Sequence, residues 1–162
     1  MPYDVNGRPE HQSRLQRLFR RPTPELTLGD PGLVPVAESA DDTVASSAVL
    51  DAAAGFDPEA QSVLWHLLEL PAESVDEVLR LVGQDRYERV ATDYVATDGV
   101  ATDCVATDRL DAAGDNNVEP VAVARVQLVD ALHVSQERSR MAGVCARHGG
   151  RALMWRVLQP SS

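Results

Sequence analysis

Four histidines, two cysteines and a row of evenly spaced aspartates are the residues here that could ligate a metal or attack a substrate. His11, His66, His133 and His148 are scattered, with none of the HxxxH spacing that sets two imidazoles on one helical face around zinc. Cys104 and Cys145 stand 41 positions apart and make no CxxC, no zinc pattern and no disulfide framework. That usage suits a reducing cytoplasm. Asp93, Asp98, Asp103 and Asp108 recur every five residues. Calcium loops need carboxylates at i, i+2 and i+4 around a glycine turn, so this spacing does not fit. Ser46, Ser47 and Ser74 lack a GxSxG setting, and Cys145 sits on an apolar helical stripe without a base beside it. These residues define no catalytic, metal or cofactor site, and the chain is expected not to be an enzyme.

What remains is charge. The 162 residues carry 15 basic residues, every one an Arg, against 25 acids, a net charge of −10. The acidity argues against a general nucleic-acid or anionic-membrane binder. It favours a protein partner with a basic surface. Glu69, Glu73, Asp76 and Glu77 cluster in sequence and are the first candidates for contact. Arg125 and Gln127 are the second, for a reason that depends on the elements carrying them.

Those elements read in a regular order. Gln61–Leu70, QSVLWHLLEL, is an apolar run of strand length stopped by Pro71. Ser74-x-x-Glu77 has the form of a capping box. Val75, Val78, Leu79 and Val82 then repeat at helical spacing, and Gly83 is placed to close the helix in a left-handed cap. Tyr87–Ala91 reads as a second strand. Val121–Val129, VAVARVQLV, alternates as a third, with Ala122, Ala124, Val126 and Leu128 on one face and Arg125 and Gln127 on the other. With the apolar face toward the helices, Arg125 and Gln127 point to the open side of the sheet, and Arg125→Ala is expected to cost little folding energy. Ser135 is placed to cap a second helix bearing Met141, Val144, Cys145 and His148 at i, i+3, i+4, i+7, ended by Gly149-Gly150. Arg151–Leu158 is a last strand, with Trp65 and Trp155 expected to pack the sheet.

The order β-α-β-loop-β-α-β predicts an α+β, ferredoxin-like βαββαβ sandwich over residues 56–162. Between its second and third strands lie four tandem copies of VATDx, residues 90–109. Their period suits neither helix nor strand, and they are read as expansion of a tolerant surface loop. Residues 1–55 contain six of the ten prolines by position 35 and are predicted to be a largely disordered tail. Within the tail, Leu15, Leu18 and Phe19 form a short apolar stripe with Arg on the other face, over residues 13–21. Residues 1–21 have net charge +3, residues 22–55 −6 and residues 56–162 −7.

The stretch Asp57-Pro58-Glu59-Ala60 leading into a strand, the helix over Ser74–Gly83, Tyr87-Glu88-Arg89-Val90, and Ser135–Gly150 followed by a strand holding Trp155 together resemble the regulator of ribonuclease E activity B family. The resemblance covers roughly residues 57–158 without the repeat. It departs where Leu153, Met154 and Arg156 surround Trp155, in place of the family's Asp-Gly before and Gly after. It implies a small acidic ferredoxin-like protein that binds and inhibits an RNA-degrading enzyme.

The leading expectation is therefore a cytoplasmic protein-binding regulator, whose acids compete with RNA phosphate for a partner's cations. A small-molecule-sensing ferredoxin-like domain acting as a dimer is the alternative. The first strand–helix turn, Leu70-Pro71-Ala72-Glu73, lacks the glycine such a ligand turn uses. No apolar run reaches the ~20 residues of a membrane span. The N-terminus has no signal-peptide stretch.

Overall fold

A computed structural model of the chain describes residues 25–93 and 117–161. The elements follow as β1 (Leu33–Ser39), α1 (Ser46–Ala52), β2 (Gln61–Pro71), α2 (Val75–Gly83), β3 (Glu88–Val90), β4 (Val118–Leu128), α3 (Ala131–Arg147) and β5 (Arg151–Pro160). The five strands form one antiparallel sheet in the order β1-β5-β2-β4-β3. The architecture is α+β. Among the described residues no helix is long and apolar enough to cross a membrane.

β2 is the middle strand, paired with β4 along Gln61–Pro71 and with β5 along Val63–Glu69. Residues 61–68 are all buried, because both faces of a central strand are covered. That is why its sequence is a continuous apolar run and not an alternation. On one face, Leu68, Leu70, Val121 and Val123 pack against Val75, Val78 and Val82 of α2 and Met141, Val144 and Cys145 of α3. Beside them, Leu64, Trp155 and Val157 pack against Leu50 of α1 and Val134 of α3. Val63, Trp65, Leu67, Ala122, Ala124 and Leu158 belong to the opposite face.

The helices use caps other than those the sequence suggests. Ser74 makes no capping hydrogen bond. It ends a one-turn 3-10 helix, Ala72–Ser74, that feeds straight into α2. Glu77, freed from the capping box, takes Arg80 in a two-point ion pair. Gly83 stays helical, and the left-handed residue is Arg86, φ 66°. α3 begins four residues before Ser135, because Asp130 Oδ1 accepts from the His133 backbone N–H at 2.8 Å. At its other end Gly149 takes φ 76°. A Cβ on Gly150 would lie 2.2 Å from the Glu69 carbonyl oxygen, so only glycine lets the α3–β5 turn reach β2.

The expectation of disorder through residue 55 fails from Leu33 onward. β1 pairs with β5 from Leu33↔Pro160 to Ser39↔Trp155, with a bulge at Pro35/Ala37. An edge strand accommodates a proline that an inner strand would reject. Ala37 and Leu50 then reach the Trp155–Val157 cluster, with Val36, Val49, Ala53 and Phe56 packed around them. The segment gains its burial from β5, paired with it across 116 to 127 residues of sequence, which local composition does not show. The 13–21 segment, Cys104 and the VATD copies beyond Asp93 lie outside the described residues.

Candidate functional site

The four acids of the candidate set lie on consecutive elements at the end of β2. Glu69 is largely buried and bound by Arg151, Nε at 2.8 Å and Nη2 at 3.3 Å. Glu73 stands exposed on the 3-10 turn, and Asp76 and Glu77 stand exposed on the first turn of α2. Arg80 donates to Glu77 at 2.9 and 2.7 Å, and these bonds hold the Glu77 carboxyl below its usual range. Glu73 and Asp76 have no ion pair among the described residues. Both acids of α2 also lie at the positive end of the helix dipole, which favours their charge. The result is an acidic strip with two of its four carboxylates uncommitted.

Arg125 and Gln127 are not part of that strip, and their orientation corrects the sequence reading. Arg125 is registered opposite Leu64, on the face the helices cover. Gln127 is fully buried. Arg125 Nε donates to Gln127 Oε1 at 2.7 Å, Nη1 donates to the Asp85 carbonyl at 2.9 Å, and Nη2 reaches Glu137 Oε1 of α3 at 3.2 Å. The guanidinium also lies 4.9 Å from the centre of the Tyr87 ring. The face turned away from the helices carries Ala122 and Ala124 instead. The sequence assumed that the polar parity faces solvent. Here partners on α3 and on the β3 approach make the polar parity the covered one.

These contacts belong to a polar network that the sequence did not reveal. The Tyr87 hydroxyl donates to Glu137 Oε2 at 2.9 Å and lies 3.5 Å from His66 Nε2. His66 is 1% exposed and Tyr87 4%. Burial, with the Arg125 and Arg138 charges adding to it, lowers the His66 pKa to about 3, so the ring is neutral. Burial also raises the Tyr87 phenol above its ordinary value, with the Glu137 charge acting the same way. A neutral imidazole, a phenol and a carboxylate shared with an arginine could pass protons. Buried as they are, these contacts tie β2, β4 and α3 together. Gln127 Nε2 has no hydrogen-bond partner among the described residues. The signal, in hindsight, is the placement of His66 between buried leucines: a polar ring there requires a polar partner.

An open groove of about 660 Å³ lies between α1 and α3. Ser46, Ser47, Ser135 and Ser139 line it together with Arg138. Arg138 Nη1 donates to the Val44 carbonyl and to Ser46 Oγ, each at 3.0 Å, so its guanidinium fastens the 41–46 loop to α3. Cys145 is buried, and burial raises its thiol pKa to about 11, which leaves it a small apolar core residue. Among the described residues no group of three or more His, Cys, Asp or Glu is placed to hold a metal ion.

The fold defines an antiparallel α+β domain with an acidic end and a closed polar core. Comparison of the chain with family models, with curated proteins and with solved structures returns no match.

Proposed function

We propose that this protein is a cytoplasmic protein-binding regulator that presents the Glu69–Glu77 strip to a basic surface of its partner. The observation that carries this reading is the pair Glu73 and Asp76. Both are exposed, uncommitted to any ion pair among the described residues, and placed on a short helical unit packed into the core by Val75, Val78 and Val82. A rigid mount keeps two negative charges in a fixed relation, which is what electrostatic docking uses. Glu69 and Glu77 add less, since each already holds an arginine.

The finer fold is part of the proposal. The strand order β5-β2-β4-β3, with α2 and α3 connecting β2 to β3 and β4 to β5 on one face, supports a ferredoxin-like βαββαβ sandwich. β1 and α1 are then an addition at its β5 edge. With that fold, the resemblance to the regulator of ribonuclease E activity B family makes an RNA-degrading enzyme the partner class. The mechanism is masking. The carboxylates occupy cations that would otherwise hold RNA phosphate, and long-range attraction speeds the encounter.

The test is binding of the full chain to purified ribonuclease E, followed kinetically at low and high salt. The reading expects association that slows steeply with salt and RNA cleavage that falls as the complex forms. If no complex forms at low salt, while the chain retains a small metabolite in dialysis, the sensing-domain reading replaces it and the Ser46–Arg138 groove becomes the place to look.

A further inference from the structure

The charged side chains in the middle of α3 turn inward. Glu137 and Arg138 are 14% and 16% exposed, bound to Arg125 and to the 41–46 loop. Arg140 is paired with Asp85. The outward positions are Leu132, Ser135, Ser139, Ala142 and Ala146, all exposed and none charged. A surface helix ordinarily shows the reverse, charge outside and small or apolar residues inside. Leu132, 63% exposed, is the most exposed large hydrophobic side chain among the described residues. Steps of 3, 4, 3 and 4 keep the five positions on one line along the helix. That is the seam spacing by which two helices pair. Leu132, Ser135, Ser139 and Ala142 also form one wall of the groove whose other wall is Ser46 and Ser47 of α1.

We propose that a second copy of the chain docks here, α3 against α3 and antiparallel, with Ser139 on the two-fold axis. The first argument is shape. Leu132 and Ala146 are each seven positions from Ser139, and Ser135 and Ala142 stand four and three positions from it. Antiparallel pairing about Ser139 therefore sets Leu132 of each copy against Ala146 of the other, and Ser135 against Ala142. A bulky side chain meets a small one at both ends, and the face is complementary to itself, as a two-fold contact requires. A parallel pairing would set leucine on leucine at one end and leave alanine facing alanine at the other, which packs poorly.

The second argument is charge. Each copy has a net charge of −10, so two copies repel over most of their surface. The seam carries no charge and lets them meet. At its ends the same register brings Arg147 to the start of the other copy's α3. Arg147 is exposed and has no ion pair among the described residues, and Asp130 stands at that start with its side chain 56% exposed. Two such pairs form, one at each end. A basic partner would be drawn to the Glu69–Glu77 acids and not to this neutral face. The inference is thus independent of the masking reading.

The experiment measures the mass of the full chain by light scattering over a range of concentrations. It adds disulfide trapping of Ser139→Cys in a chain that also carries Cys104→Ser. The expected mass rises with concentration to twice that of the monomer. The dimer fraction grows when salt is added, because screening relieves the repulsion between copies. That is opposite in sign to the salt effect expected for docking on a basic partner. Ser139→Glu, an exposed change whose folding is checked by circular dichroism, should weaken the dimer at least tenfold. Ser139→Cys should form a disulfide between copies. Ala146→Cys in the same background should not, since the two Ala146 positions lie about 21 Å apart along the paired helices. A monomer at every concentration overturns the proposal. So does a dimer that Ser139→Glu leaves intact, because the copies then meet elsewhere, and so does Ala146→Cys linking as readily as Ser139→Cys.

Discussion

Arg125 Nη2 of β4 and Glu137 Oε1 of α3 lie 3.2 Å apart, with side chains only 12% and 14% exposed. The pair joins the sheet to the middle of its longest helix. It also hands Glu137 its second donor, since Oε2 is already taken by Tyr87.

Arg125→Met is expected to destabilise the domain by about 3 kcal/mol, because it leaves a nearly buried carboxylate without its cation. Combining it with Glu137→Leu should recover much of that loss. Urea midpoints of the two single variants and the double variant measure the coupling. Additive costs would show that the pair is not acting as a unit.

The buried histidine makes stability depend on pH in a definite direction. Folded His66 holds its pKa near 3, while an unfolded histidine titrates near 6.5. Below pH 6.5 the unfolded chain binds a proton that the folded chain refuses. The stabilisation is therefore complete above pH 6.5 and is lost as pH falls toward 3, by about 4–5 kcal/mol in all. Unfolding free energies from pH 7 to 4 should fall less steeply in His66→Gln, by about one proton's slope. Parallel curves for the two proteins would exclude His66 as the source.

Two glycines should respond in opposite ways. Gly83 is helical with open space around it, so Gly83→Ala is expected to stabilise by about 0.4–1 kcal/mol through the unfolded chain. Gly150→Ala drives a Cβ to 2.2 Å from the Glu69 carbonyl oxygen and 2.8 Å from Leu70 Cδ2. Backbone does not yield cheaply, and a loss of about 1–3 kcal/mol is expected. A thermal midpoint that does not fall in Gly150→Ala would contradict the packing of the α3–β5 turn.

Reversing Glu73 and Asp76 to Lys is expected to leave folding unchanged within about 0.5 kcal/mol, as for other exposed positions. The same reversal should slow association with a basic partner and flatten its salt dependence, since rim charges act on the encounter. Stopped-flow rates at several ionic strengths separate the two effects. A change confined to dissociation would place the contact elsewhere.

Much of the frame was readable without coordinates because its signals are local. The Val75–Val82 stripe, the Met141–Cys145 stripe and the run over Gln61–Leu70 each announce a helix face or a buried strand through their own spacing. The antiparallel sheet follows from how those elements alternate. Three features could only be decided by tertiary structure. Which parity of VAVARVQLV faces the helices depends on Tyr87 and Glu137 arriving to meet Arg125. Leu33–Ala52 looks too poor in apolar residues to fold, and does so because β5 lends it an edge and Trp155 a surface. Ser74 and Gly83 carry cap residue types, yet the chain turns at the 3-10 helix and at Arg86 instead. In each case the deciding partner lies outside the window in which periodicity and propensity act, and long-range burial outweighs local preferences of about 1 kcal/mol.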